Sequence, residues 1–390
     1  MIHYGCRLLQ IVALLGCGSS CCYYLLCLFG AFAFLRERKM LAEKAVSAPL
    51  PPVSIFKPLK GTDPEIYESF RSHCQQDYPE YEIIFGVSDP ADPAVASVQR
   101  LQKEFPQTAI RLVVCSKVLG TNVKVSNLDQ MLQTARYDHL IVNDSDIRVE
   151  REYLRRVITP LADSNVGMVT CLYRGVAART LGSRLESLGI ETDFCAGVLA
   201  ARLLEGGLRF GLGSTLTFRR ADLDRIGGFG AIVDFLADDY ELGRRIASLG
   251  LRVLLSDVVV ETNLPGYDFT GFWSHQLRWA RGVRDARGGG YFGLVSTFGL
   301  FWSILALITA SGAAWAWSLL GVVVLMRVAV ALAIGSSVLQ DRHLLAKLWL
   351  LPIRDLVAVA TWVMSFYGHT VMWRGERFEL RKGRLLRIEN

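Results

Sequence analysis

The 390-residue chain has nine cysteines but no Cys-x-x-Cys pair and no cysteine–histidine cluster at zinc-binding spacing. Five of them (Cys6, Cys17, Cys21, Cys22, Cys27) lie in or beside the first apolar segment, and Cys74, Cys115, Cys171 and Cys195 stand alone. That pattern argues against a structural zinc site and a disulfide framework, and predicts free thiols in a reducing compartment. Also missing is a basic face interleaved with aromatics, or any recognisable nucleic-acid module. The net charge is only +6, and its basic excess flanks apolar segments, as in Arg36–Lys39 and the tail from Arg374. Such placement points to a membrane surface and away from nucleic acid. Charged residues make up 21% of the chain and hydrophobic residues 51%. The apolar surplus is concentrated in the first 35 residues and the last hundred, around a more polar middle.

Leu8 to Leu35 is almost free of charge and long enough to cross a hydrocarbon core of about 30 Å. It runs directly into Arg36–Lys39, so a retained anchor is expected in place of a cleaved signal peptide. Only Arg7 precedes it, which by the positive-inside rule puts the following residues in the cytoplasm, at the inner membrane if the chain is bacterial. The expected division is an anchor over 1–36, a linker over 37–52 that includes AVSAPLPP, a soluble domain over 53–287 and a membrane region over 288–390. Apolar segments near Val295–Ala313, Trp315–Ile334 and Asp355–Met372 make up that last region, with LLAKLWLLP amphipathic before the third. Three spans would leave the basic tail on the far side, against its charge; a re-entrant third segment reconciles the two.

Within the soluble part, strand-like and helix-like segments alternate. VSIFKPL, YEIIFGVSD, IRLVVC and HLIVNDSD read as strands, and DPAVASVQRLQKEF and NLDQMLQTAR as helices. Repeated β-α-β predicts an α/β domain with a parallel sheet, whose ligands bind beyond the strand carboxyl ends. Further on, LADDYELGRRIASLG reads as a helix and LRVLLSDVVVET as a strand. LGSRLESLGIETDFCAGVLAARLLEGG is helical but interrupted by Glu186, Glu191 and Asp193, and suits either the membrane interface or core packing.

Three constellations can carry chemistry. Asp144 and Asp146 form Asp-x-Asp at a strand end, where two repelling carboxylates suit a hard divalent cation shared with phosphates; a turn or cap is the ordinary alternative. Asp238 and Asp239 sit near a helix start, as caps or as a catalytic base. Arg278, Arg281 and Arg284 recur at three-residue spacing beside Trp279, suited to phosphate oxygens or to lipid headgroups.

In their joint order these motifs resemble the inverting, membrane-bound glycosyltransferases with a GT-A (nucleotide-diphospho-sugar transferase) domain, flanked here by N-terminal and C-terminal transmembrane helices. The chain looks most like the ceramide glucosyltransferase family, glycosyltransferase family 21. The matching stretches are FKPLKGTDP, QDYPEYEIIFGVSDPADPA, the Asn-x-Lys-x-x-Asn-Leu of NVKVSNL, NDSDIRV, ADDYELG and the Arg-Trp of HQLRWARGVR. VTCLYRGV is similar to hopanoid-associated bacterial members. The resemblance implies that Asp89, with Asp92 nearby, binds the uridine part of a UDP-sugar. Lys124 and Asp144 then contact the nucleotide sugar. Asp146, with Asp144, holds Mg2+ or Mn2+, and Asp239 is the general base. Arg278 and Trp279 grip the diphosphate and the acceptor end. His275 stands where the family has Gln or Arg, with Gln276 one residue late. The implied reaction passes glucose to a lipid hydroxyl, ceramide first. The alternatives are a hopanoid acceptor with UDP-N-acetylglucosamine, diacylglycerol, or processive polysaccharide synthesis.

Overall fold

A computed structural model of the protein describes residues 2–45, 50–373 and 375–388. The chain divides into two compact units. The sheet unit comprises residues 36–178, 205–265 and 383–390; the helical unit comprises 1–35, 179–204 and 266–382. Residues 46–49 of the expected linker lie outside the described residues.

The sheet unit is built on an eight-stranded mixed sheet. Its strands are β1 (Val53–Leu59), β2 (Tyr81–Val87), β3 (Ala109–Val114), β4 (His139–Val142), β5 (Ile147–Arg148), β6 (Val166–Val176), β7 (Leu216–Arg219) and β8 (Arg252–Asn263), in the order β3-β2-β1-β4-β7-β6-β8-β5. β3, β2, β1 and β4 are parallel neighbours, and β7 is antiparallel to both β4 and β6. Every residue of β1 is buried, as expected of a central parallel strand covered on both faces. The helices of this unit are α2 (Ile66–Cys74), α3 (Ala94–Glu104), α4 (Val123–Leu132), α5 (Tyr153–Ile158), α8 (Arg220–Arg225) and α9 (Asp238–Ser248). One core joins Val53, Ile55, Phe70, Ile83, Phe85, Val98, Leu101, Ile141 and Leu154. The strand expected over HLIVNDSD ends at Val142; Asn143 N–H still donates to Phe56 O, its amide nitrogen donates to Ser214 O, and the chain turns beyond it.

The helical unit holds most of α1 (Ile2–Ala45), then α6 (Leu181–Gly189), a π-helical turn over Ile190–Phe194, α7 (Cys195–Leu204), α10 (Phe269–Ala286), α11 (Gly288–Gly293), α12 (Gly299–Thr309), α13 (Ala314–Ala331) and α14 (Leu351–Ser365). Three stretches among the described residues are long and apolar enough to cross a membrane: Tyr4–Met40, Ala314–Val338 and Leu348–Ser365. A fourth is possible if the pair Gly288–Thr297 and Gly299–Thr309, bent by 49°, counts as one. The third C-terminal segment is therefore Leu348–Ser365 instead of Asp355–Met372. Residues Thr370–Trp373 form a strand, β9, paired antiparallel with β10 (Glu376–Arg381). The stretch LLAKLWLLP, read as amphipathic, forms short 3-10 turns at Leu344–Ala346 and Leu348–Leu350. Helix contacts here use small residues, as in membrane bundles: Ser20 Oγ donates to Ser296 O at 2.8 Å. The segment from α6 to α7 is core packing, with Leu185 and Leu188 buried beside Phe272, Leu344 and Leu351.

Candidate active site

At the carboxyl ends of the parallel strands, acidic side chains are built into turns. Asp144 and Asp146 follow β4 in an Asp–Ser–Asp turn gripped from β1 and α2. Lys57 Nζ donates to Asp144 O at 3.0 Å and to Ile147 O at 3.4 Å, and Ser69 Oγ donates to Asp146 O at 3.1 Å. Ser145 Oγ donates to the Asp63 carboxylate. Lys57 is fully buried. Burial drags its ammonium down to about 7, against the pull of Asp146, Asp144 and Asp63. The Asp146 carboxylate accepts from Thr262 Oγ1 of β8; burial and the neighbouring charge of Asp144 raise it to about 6.

Lys124, in the first turn of α4, lies 2.8 Å from Asp144 Oδ1 and 3.0 Å from Asp238 Oδ2. Burial lowers its pKa, but Asp144, Asp238 and Asp239 outweigh that and hold the ammonium well above the usual lysine range. The helix is set by Asn122, whose side chain accepts from Val125 N–H and donates to Phe235 O at 2.7 Å. Asn127 accepts from Ser88 Oγ at 3.0 Å. The Asn-x-Lys-x-x-Asn spacing thus divides into a cap, an ion pair and a brace for the loop after β2.

Asp238 and Asp239 open α9. Gly243 lets that helix approach closely, since a Cβ there would meet Gly211 N at 2.1 Å. Asp239 Oδ2 accepts from Gly213 N–H at 2.7 Å and Oδ1 from Tyr240 N–H at 2.7 Å. Gly213 O accepts in turn from Asp144 N–H at 3.3 Å. Burial and the adjacent Asp238 push the Asp239 carboxyl up to about 6, with Lys124 opposing. Lys124, Asp144, Asp238 and Asp239 are one electrostatic cluster.

Two other acids are placed differently. Asp89 is exposed after β2 and accepts from Ala91 N–H at 2.8 Å. Asp92 accepts from Gly61 N–H at 2.9 and 3.1 Å and from Ala94 N–H at 2.9 Å. Its carboxylate ties the loop after β1 to the start of α3.

His275, Arg278 and Trp279 belong to α10 of the helical unit. His275 stacks on Tyr267 with ring centroids 5.4 Å apart and tilts against Trp279 at 5.5 Å; Trp279 meets Phe194 at 5.8 Å. Gln276 Oε1 accepts from Arg354 at 2.7 Å, so this side chain ties α10 to α14. Arg278 lines a cavity of about 280 Å³ with Ser274, Arg281, Met372 and Arg377. The three arginines, read as suited to phosphate oxygens or to lipid headgroups, do not all point to a ligand. Arg281 donates to Thr370 O and to Tyr367 O, and Arg284 to Ser365 O and Gly368 O. Arg284 caps the carboxyl end of α14, where helix carbonyls attract cations, and Arg281 holds the turn after it and the start of β9.

Among the described residues no three His, Cys, Asp or Glu side chains converge on a cation position. Asp144 and Asp146 nonetheless offer hard oxygen donors, and their mutual repulsion is of the kind a divalent cation relieves. Mg2+ sites commonly use one or two carboxylates, with water and phosphate oxygens completing the shell.

Lys57, Gly213 and Thr262 were not picked out from the sequence. Lys57 did leave a signal: a lysine inside an apolar strand, VSIFKPL, at a position buried on both faces.

The model of a family described as Glycosyl transferase family 21 matches residues 12–386. Ceramide glucosyltransferase 3 of Caenorhabditis elegans is 26% identical over 272 residues, 70% of this chain and 58% of that protein. The ceramide glucosyltransferase of Komagataella phaffii is 30% identical over 165 residues, 40% of this chain and 31% of that protein. The beta-monoglucosyldiacylglycerol synthase of a Synechocystis strain is 24% identical over 62% of this chain and 50% of that protein. The chain thus spans little more than half the length of the Caenorhabditis elegans relative. Among solved structures, a mannosyltransferase of Pyrobaculum calidifontis, in complex with GDP-Man and Mn2+, superposes with a TM-score of 0.52. It is 19% identical and covers 92% of this chain and 99% of its own. The expected GT-A fold is therefore present.

Proposed function

Because the chain belongs to glycosyl transferase family 21, we propose that it transfers glucose from UDP-glucose to the hydroxyl of a membrane lipid, ceramide in the first instance. The observation that carries this is the clustering of Lys124, Asp144, Asp238 and Asp239 beyond the carboxyl ends of the strands. Asp239 is the general base. Its carboxyl, raised to about 6, is ionised at neutral pH yet basic enough to share the proton of an attacking alcohol. The lipid oxygen attacks the anomeric carbon opposite the leaving UDP, so the configuration inverts in a single displacement.

Lys124 and Asp144 orient the nucleotide sugar, with Asp89 at the uridine end. The bonds of Asp92 favour a role in shaping that loop over direct contact. Asp146, with Asp144, would hold Mg2+ or Mn2+, which when bound would offset charge on the diphosphate. Arg278, Trp279 and His275 act toward the diphosphate and the acceptor end. The apolar stretches anchor the protein in the membrane, with the GT-A domain on the cytoplasmic side, where a water-soluble donor meets a lipid.

The test is Asp239→Asn in the full chain reconstituted in lipid nanodiscs. Labelled lipid should disappear while UDP-glucose binding by calorimetry stays within about threefold. Transfer at near the wild-type rate would remove Asp239 from the base role. Mass spectrometry of the labelled lipid identifies the acceptor.

A further inference from the structure

The segment from α6 to α7 brings three carboxylates into the helical unit, and two of them are matched by cations. Asp193 is held by Arg327 at 2.6 Å and Arg354 at 2.8 Å, and Glu191 by Lys347 at 2.8 Å. The third, Glu186 on α6, is not. It is buried to 4% exposure, and among the described residues its ion-pair partner is the imidazole of His275, whose Nδ1 lies 3.1 Å from Oε1. Among the described residues Oε2 of Glu186, like that of Glu191, has no hydrogen-bond partner, and the Nδ1 approach falls short of a well-formed bond. An acceptor oxygen buried without a donor loses its hydration with nothing in return, and native interiors rarely leave one so. Here it lies beside His275, the first position of the His275–Trp279 motif.

We propose that Glu186 is an acceptor-binding residue: Oε2 takes a hydrogen bond from a donor group of the lipid, an amide N–H or a hydroxyl, other than the hydroxyl that receives the sugar. The site takes an N-acylated amino alcohol or a polyol lipid and disfavours diacylglycerol, which has one hydroxyl and no second donor. Oε1 stays beside His275 Nδ1. A site that hydrogen-bonds a particular substrate group discriminates strongly against an analogue lacking it. This proposal rests on the lipid glycosyltransferase reading.

The experiment uses the full chain in nanodiscs, with N-acylsphingosine and diacylglycerol as alternative acceptors and UDP-glucose as donor. Wild type should prefer N-acylsphingosine at least tenfold in kcat/KM. Glu186→Leu should raise KM for N-acylsphingosine at least tenfold and erase the preference. Glu186→Gln, which keeps an acceptor oxygen of the same reach, should restore most of it. KM for UDP-glucose should move less than threefold in both variants, a split that general unfolding would not produce. Unchanged KM and unchanged preference in both variants would overturn the proposal and assign Oε2 to a buried water. Equal use of the two acceptors by wild type would also overturn it. Absence of transfer to any lipid by wild type would instead sink the parent reading.

Discussion

The backbone N–H of Gly213 donates to Oδ2 of Asp239 at 2.7 Å. The carbonyl of the same glycine accepts from Asp144 N–H, so one residue ties the proposed base to the Asp-x-Asp turn. A Cβ on Gly213 would stand 2.8 Å from Asp144 Oδ2 and 3.3 Å from Asp239 Oδ2. Gly213→Ala should therefore displace both carboxylates by a few tenths of an ångström. Misplacements approaching 1 Å can cost about 100-fold in rate, and a fall in kcat of about 10- to 100-fold is expected, with little change in melting temperature. Steady-state kinetics beside a thermal melt checks this; an unchanged kcat would mean that the turn has slack.

A base at about 6 has a directional signature. Asp239 must be ionised to act, and its carboxyl lies above the ordinary value of 3.8 because of burial and Asp238. The rate should fall about tenfold per pH unit on acidification below about pH 6 and be flat just above it. The profile of kcat from pH 5 to 8, at saturating donor, acceptor and Mn2+, measures this limb. Activity flat down to pH 5 would place the base elsewhere.

Lys124 should set the position of that limb. It opposes the upward push on Asp239 and bridges Asp144 and Asp238. Removing the cation in Lys124→Met should move the acid limb to higher pH and weaken donor binding by about tenfold or more, on the scale of a buried charge pair losing one partner. Lys124→Arg, which keeps the charge, should recover part of both. A limb that stays in place while binding weakens would limit Lys124 to holding the donor.

Much of this arrangement was legible because it follows chain direction. Apolar β-rich runs broken by Pro and Gly announced β1 to β4, and the acids after β2 and β4 could lie nowhere but the carboxyl edge. The illegible part is long-range. Lys57 and Thr262 reach the Asp-x-Asp turn from strands 87 and 116 positions away, and no local pattern encodes such contacts. Arg281 and Arg284 misled for a related reason. Their spacing specifies a shared helix face, but whether that face meets phosphate or the carbonyls ending α14 depends on packing. The hairpin β9–β10 was hidden because the uncharged TVMW of β9 read as the end of the third apolar segment and the charged ERFELR of β10 as a juxtamembrane tail.

Lys57 allows stability and function to be separated. Lys57→Met removes a fully buried ammonium, which relieves a desolvation cost, but it leaves Asp144 O and Ile147 O without that donor, at about 1–3 kcal/mol for each buried orphan. These effects oppose, so melting should shift by only a few degrees. The turn loses its brace, so Mn2+ and UDP-glucose affinity by calorimetry should drop about tenfold. Full affinity in the variant would show that Ser69 and Thr262 hold the turn unaided.

The helical unit has its own test in Arg327, which donates to Asp193 Oδ1 at 2.6 Å, to Asp355 Oδ1 at 2.7 Å and to Thr192 O at 2.9 Å. It joins α13 to α14 and to the π-helical turn, and ionisable groups in such surroundings persist when they are mutually paired. Arg327→Met leaves two carboxylates facing each other with Arg354 as the remaining cation. Breaking a buried pair on one side costs about 3–5 kcal/mol. The triple change Arg327→Met, Asp193→Asn, Asp355→Leu removes the orphaned charges as well and should recover at least half of the lost thermal stability in nanodiscs. Because Arg354 also holds Gln276 on α10, the single variant should additionally raise KM for the lipid acceptor. If it melts early but keeps its acceptor KM, the network stabilises the helices without positioning the His275–Trp279 face.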